Sequence, residues 1–328
     1  MRMTMELGCT MPPAVSTPEY IRVAEQLGYV SAWCFYSPAI YADPWMVLAM
    51  AAERTSTIDI GVSVIVPRLR HVADQATSVA TLHHLAPGRV TVVVGAGFSS
   101  TAMLGGKGVP WATIEIFVDH LRALLAGGAV EIDGVKTALL HAPETGIQFP
   151  LDIPIWVAAH GPKGMGVAER VADGVITNPT HGDHRASFDG PWSVSYYGTV
   201  LNEGEDHGDP AVIERVGPAA ALALHMGPYG PLAGSDEERG FAAEIEKFPP
   251  PDRLVETHRG HLIALSDLDR KFINGNAVRA GTITGSAAEI RDRLDAIEAT
   301  GVTRFCYTPV GPDIPRELDT FAEAFHSR

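Results

Sequence analysis

The sequence predicts an α/β fold on parallel strands, a closed (β/α)8 TIM barrel, and three observations carry that expectation. Strand-like and helix-like stretches alternate along the 328 residues. The strand-like stretches are continuous apolar runs, such as Ile155-Trp156-Val157-Ala158-Ala159, which suit strands buried on both faces. Their number is about eight, the count a closed barrel needs. A doubly wound open sheet is the alternative that the same alternation allows.

The elements follow in chain order. Met3 to Met11 reads as the first strand. Thr17-Pro18-Glu19 has the pattern of an N-cap, first position and first turn, and opens a helix ending near Gly28. Val30 to Phe35 is strand-like, Pro44 to Arg54 helical, and Ile58 to Val66 a strand. His71 to Leu85 is helical and is stopped by Pro87-Gly88. Arg89 to Val94 is a strand ending in Gly95-Ala96-Gly97, and Thr113 to Leu125 a helix ended by Gly127-Gly128. The strand at Ile155 turns through His160-Gly161-Pro162-Lys163-Gly164 into a helix, and "DGVIT" begins the next strand. Pro218 to His225 reads as a further strand. Ser286-Ala287-Ala288-Glu289 is a capping box opening a helix to Thr300; Thr303 to Tyr307 is the last strand and Arg316 to Phe325 the last helix. One domain, 1–328, is expected, with insertions at about 129–150, 178–217 and 226–280. The first reads as a hairpin, and in a barrel long loops after strands lie at the carboxyl-end face.

Composition narrows the function. A formal net charge of −14 argues against nucleic acid or an anionic membrane as partner. No apolar run reaches the ~18 residues of a membrane span. The start, MRMTMELGCTM, lacks a long apolar segment, so no signal peptide and a cytoplasmic location are expected. Cys9, Cys34 and Cys306 are scattered through apolar runs and read as buried free thiols.

The residues that could carry chemistry sit at strand ends. Gly161 to Gly164 place bare backbone where a helix begins, and helix-start amides suit a phosphate, with Lys163 adding charge. An ordinary tight turn explains the same residues. Gly95-Ala96-Gly97 is a second small turn, although Ser100 breaks any GxGxxG pattern. Arg68, Arg70 and His71 form a basic cluster after the third strand, readable as an anion site or as a solvated loop. The histidine pairs His83-His84, His181 with His184, and His258 with His261 lack an HExxH arrangement, and no metal is expected. No GxSxG elbow is present. Trp111 and Trp192 stand in loop-like contexts that suit a pocket wall.

Four stretches together resemble a known family: "AEQLGYVSAW", "IDIGVSVIVPRLRHVADQATSVATLHHLAPGRVTVVVGAGF", "IPIWVAAHGPKGMGVAERVADGVIT" and "GSAAEIRDRLDAIEATGVTRF". In this order they are similar to the bacterial luciferase-like superfamily of flavin and deazaflavin oxidoreductases, in particular the branch similar to methylenetetrahydromethanopterin reductase. The resemblance implies a TIM barrel with the cofactor at the carboxyl ends of the strands, its phosphate against His160 to Gly164. It implies a non-prolyl cis peptide at Ser63-Val64. It carries over Ser63, Val64, Ala96, Gly97, Ala159, Gly161, Pro162 and Lys163 as cofactor contacts. The cofactor implied is coenzyme F420, a deazaflavin, with FMN as the alternative. Sugar dehydrogenases of the family have an Asp-His pair where this chain has Tyr36-Ser37, and an acidic residue where it has Phe98. A sugar substrate is therefore not expected, and the pocket should be more apolar.

The expected activity is hydride transfer to or from a small organic substrate. Tyr36, His71 and His160 are the acid–base or substrate-contact candidates, and a homodimer is implied by the family. A monooxygenase using reduced FMN, a non-redox hydrolase on the same barrel, and a non-catalytic ligand-binding barrel are the rival readings.

Overall fold

The computed structural model describes residues 4–178 and 188–328. In chain order the strands are β1 (Glu6–Met11), β2 (Ser31–Cys34), β3 (Asp59–Ile65), β4 (Val92–Val94), β5 (Ala129–Ile132), β6 (Val135–Ala138), β7 (Ile155–Ala158), β8 (Gly174–Thr177), β9 (Trp192–Tyr197) and β10 (Arg304–Thr308). Eight of them form a closed barrel in the order β1-β10-β9-β8-β7-β4-β3-β2, while β5 and β6 pair antiparallel as a separate hairpin. The barrel ladders are parallel, as between β2 and β3 or β4 and β7. The TIM-barrel expectation therefore holds, and the open-sheet alternative falls.

The helices used below are α2 (Pro44–Ala52), α3 (Val72–Leu85), α4 (Ser99–Ala102), α5 (Trp111–Leu125), α6 (Pro162–Val171), α7 (Pro210–His225), α8 (Asp236–Ile245), α9 (Pro250–Thr257), α10 (Gly275–Gly281), α11 (Ala287–Glu298) and α12 (Ile314–His326); α1 is Thr17–Gln26. The capping box at Ser286 and Glu289 forms as its sequence indicates.

One element differs. Pro218 to His225 is not a strand but the second half of α7. The run is Ala-rich and buried at every position from Val216 through Leu224 except Leu222. An apolar run of that kind has no period that separates a buried helix from a buried strand. Pro210, at the first helical position, starts the helix well upstream. The barrel strand is instead β9, "WSVSYY", inside the stretch read as an insertion, and it pairs with β8 through Val175 and Trp192.

The chain groups into two compact units. One comprises residues 13–25 and 30–194. Its core centres on Trp33, fully buried in β2. The ring meets Trp156 edge-on at 5.3 Å, and its Nε1 donates to Asp59 at 2.7 Å. Thr91 donates to the other oxygen of the same carboxylate at 2.9 Å. Trp156 lies flat against Gly174, where a β carbon would stand 2.3 Å from the indole.

The other unit takes in Gln26–Tyr29 and Ser195–Arg328, with β1. Phe305 and Tyr307 of β10 stack on Phe321 of α12, the latter pair at 3.9 Å. The Tyr307 hydroxyl reaches the Gly198 carbonyl at 2.8 Å and Glu317 at 3.1 Å. Burial raises the Glu317 pKa, and the Arg316 guanidinium opposes the shift at 2.7 Å. Cys9, Cys34 and Cys306 are free and buried, and burial pushes the Cys34 thiol up to about 12.

Candidate active site

All the candidate site residues lie in the unit of residues 13–25 and 30–194. Ser63 and Val64 lie near the carboxyl end of β3, and the others follow the carboxyl ends of β2, β3, β4 and β7, which are successive neighbours in the sheet.

The turn from β7 into α6 is the most constrained. The Ala159 amide still donates to the Ile176 carbonyl at 3.1 Å, so the chain leaves the sheet only after it. Gly161 then turns the backbone, at φ 82° and ψ 170°. Only glycine holds that pair of angles without strain. Pro162 takes the first helical position, and no side chain caps the helix. Helix geometry gives the Lys163 and Gly164 amides no intrahelical acceptor, and the helix dipole adds partial positive charge there. The result is a stretch of bare main chain whose amides suit an anion. Trp111, the first residue of α5, walls it: a β carbon on Gly164 would stand 2.6 Å from Cη2 and Cζ2 of that indole. His160, Pro162 and Lys163 are exposed at the rim, and Ala159 is buried beneath them.

The turn after β4 is built against β3. The Ser63-Val64 peptide is cis, as the family resemblance implied, and the β3–β4 register shifts between Ser63 and Ile65. The Val64 side chain rests on Gly95, where a β carbon would be 3.0 Å away. Val66 rests on Gly97, which has φ 68° and would bring a β carbon to 2.9 Å from the valine methyls. The Val109 amide donates to the Ala96 carbonyl at 2.9 Å and closes the loop that contains α4. Ala96 and Gly97 thus present half-exposed, side-chain-poor backbone beside the cis peptide.

Tyr36 follows β2 and is buried. Arg70 lies over its ring at 5.4 Å and pairs with Asp43, with Asp74 at 3.6 Å. Asp43 is the N-cap of α2, accepting from the Trp45 amide at 2.9 Å. Burial, with Asp43 and Asp74, raises the Tyr36 pKa against the opposing Arg70 charge. The phenol is therefore neutral at physiological pH, a proton donor rather than a base.

The basic cluster divides accordingly. Arg70 is paired with two carboxylates, Asp43 and Asp74. His71 is the N-cap of α3, its Nδ1 accepting from the Ala73 amide at 3.2 Å, which gives the ring a structural duty. Asp43 and Val66 adjoin the candidate residues without being singled out by the sequence. The Asp-Pro-Trp sequence was a readable capping signal for Asp43, whereas the packing of Val66 on Gly97 is a long-range contact with no local mark.

His181 and His184 lie outside the described residues. His258 and His261 meet His225 of α7, the ring centroids 6.0 and 5.9 Å away. His225 Nε2 bonds Asp269 at 2.9 Å. Burial lowers the His258 pKa, and burial together with the neighbouring imidazoles lowers that of His261 to about 3. An unfolded chain takes up protons on these rings below the ordinary value of 6.5, while the folded chain does not. Their contribution to stability is complete above pH 6.5 and declines on acidification until the folded rings protonate, near 3 for His261. The slope is at most about 1.4 kcal/mol per pH unit per group. Urea unfolding between pH 7.5 and 5 should show that decline, and His261→Gln should reduce it; an unchanged slope in the variant contradicts the assignment.

A cavity of about 300 Å³, lined by Arg122, Leu125 and Ile153 among others, opens at the amino end of β7. It is at the opposite end of that strand from the Gly161 turn, and Arg122 there is already bound by Asp173 at 2.9 Å.

Comparisons with known proteins bear on this geometry. The profile of the family described as luciferase-like monooxygenase matches residues 4–188. A 5,10-methylenetetrahydromethanopterin reductase of Methanolobus tindarius is 29% identical over 321 residues, covering 92% of each chain. An F420-dependent glucose-6-phosphate dehydrogenase of Beutenbergia cavernae is 36% identical over 177 residues, covering 48% of this chain and 50% of that one. Among solved structures, the coenzyme F420-dependent tetrahydromethanopterin reductase of Methanopyrus kandleri superposes with a TM-score of 0.72 at 20% identity, covering 99% of this chain and 98% of that one.

Proposed function

This chain belongs to the luciferase-like monooxygenase family, and on that premise we propose that it is a coenzyme F420-dependent oxidoreductase moving a hydride to or from a small organic substrate. The observation that carries the reading is the uncapped start of α6 behind Gly161. It suits a phosphate at a barrel strand's carboxyl end, and the F420-dependent reductase structure of Methanopyrus kandleri spans 99% of the chain. The deazaflavin supplies two-electron hydride chemistry when bound.

The chain's own residues bind and orient. The Lys163 and Gly164 amides, with the Lys163 ammonium, hold the phosphate. The bare turn at Ala96 and Gly97, with Ser63 and Val64 beside it, leaves a flat ring room to lie close to main chain. Trp111 shields the seat from water. Tyr36 offers a neutral hydroxyl and is the favoured proton donor, with His160 the second candidate. FMN carries the same kind of phosphate, and the family name itself keeps the FMN-dependent monooxygenase as the second reading.

A cytoplasmic homodimer is the accompanying reading, taken from the family likeness. No described helix is long and apolar enough to cross a membrane. Light scattering checks the oligomeric state.

Titration with coenzyme F420 and with FMN tests the function. Saturable binding of F420 is expected, weakened about 10-fold by Lys163→Glu, which sets a carboxylate against the phosphate. Failure of both coenzymes to bind, or indifference to the charge reversal, would count against it.

A further inference from the structure

A joint of three imidazoles fastens the segment that follows α7. The ring of His225, at the end of α7, lies 6.0 Å from His258, which caps α9, and 5.9 Å from His261; the last two are 5.0 Å apart. His225 and Asp269 are bonded and buried, their side chains 5% and 4% exposed. Asp269 also accepts from the Ser266 hydroxyl at 2.7 Å. From α8, Phe241 packs on His225 at 5.4 Å. The charged and titratable groups facing the joint are thus the three rings and one carboxylate.

Little else fixes the helices that meet there. Of the 10 residues of α8 only Phe241 is buried, and α9 buries none of its 8. The polar ties from α8 to the following chain are solvent-exposed: Glu237 accepts from Asn274 at 2.9 Å and from Asn276 at 3.3 Å, and Glu244 meets Lys271 at 3.8 Å. Leu265 adds an apolar contact on Gly217 of α7. Exposed pairs contribute little, and helices this short are held by packing rather than by their own hydrogen bonds. The attachment therefore depends on the imidazole joint and the few apolar side chains around it.

Asp269 offsets one imidazolium. A further proton would place like charges 5.0 to 6.0 Å apart in a buried space. The closed joint keeps two of its rings neutral: burial first, and the neighbouring imidazoles second, hold His258 and His261 below the ordinary 6.5, His261 at about 3. Once the joint opens, the same rings meet water and take up protons at the ordinary value. Opening is then increasingly favoured as pH falls below 6.5, down to about 3, where His261 protonates in the closed state as well.

We propose that residues 236–272 form an acid-released arm: protonation of His258 and His261 undoes its attachment to α7 while β1 and β10 stay folded. The device is conformational and does not depend on which coenzyme the chain binds.

Hydrogen exchange followed by mass spectrometry tests it, on the full chain at pH 7.5 and 5.5, with protection corrected for intrinsic exchange rates. Each ring kept neutral in the closed state raises the open fraction by up to about 10-fold over that range. Protection of peptides within 236–265 should fall by about 10- to 100-fold, and that of β1 and β10 by less than about 3-fold. In the His258→Gln, His261→Gln double variant the arm should respond to pH by less than about 3-fold. If that variant leaves the arm open even at pH 7.5, His261→Gln alone decides, and should cut the response by about 10-fold. An arm equally protected at the two pH values in the wild type overturns the proposal. So does an equal loss of protection in β10, which means unfolding of the whole unit, or a full response retained in the glutamine variants.

Discussion

Trp33→Ala is expected to remove about 3–5 kcal/mol of folding stability, the range for deleting a large, fully enclosed aromatic side chain. Trp33 has no exposed surface, and Trp156 and Asp59 depend on it. Trp156 loses the edge of its ring contact, Asp59 loses an indole donor at 2.7 Å, and the space between β2 and β7 empties. Trp156 cannot shift to fill it while keeping its place flat on Gly174. Urea unfolding at neutral pH measures the loss. Trp33→Phe restores most of the apolar volume and removes only the N–H, so it should cost about 1–2 kcal/mol, the penalty for an acceptor left short of a donor. Losses of similar size in the two variants would mean that the hydrogen bond, not the packing, is what Trp33 contributes.

Gly161→Ala should weaken coenzyme binding about 10- to 100-fold, the equivalent of the ~1–3 kcal/mol that a β carbon costs at angles reserved for glycine. The strain has an easy release: the backbone at 161 relaxes and tips the first turn of α6. The Lys163 and Gly164 amides then no longer converge on one point. The body of α6 stays anchored by Met165, Val167 and Ala168, so global stability should fall much less than affinity. Comparing a coenzyme titration with a melting curve separates the two effects. An alanine variant that binds as wild type does would remove the main-chain anion seat from the account.

The barrel was legible in the sequence because its strands are buried on both faces and its helices carry punctuation. Ser286 and Glu289 announced α11, and Pro87-Gly88 ended α3, because capping and chain reversal are local chemistry. The exchange of roles between 218–225 and 192–197 was not legible. "PAAALALH" is apolar on every side and so lacks a period, while "WSVSYY" alternates but is embedded among glycine, proline and acidic residues. The candidate site divides in the same way. The Gly161 turn is a local motif and could be read directly. That Arg70 belongs to Asp43 and Tyr36, and that Val66 seats Gly97, depends on strands that meet only after the sheet has formed. The cis peptide at Ser63-Val64 had no mark of its own and was expected only through family likeness.

An anchor made of amides has an evolutionary side. Every residue except proline brings the same N–H, so in the proposed reading drift among the surrounding side chains leaves the hold on a phosphate intact provided that Gly161 and the helix start survive. The neighbouring loops are then free to diversify toward new substrates without the coenzyme being lost on the way, and a barrel of this kind is a forgiving starting point for new reactions.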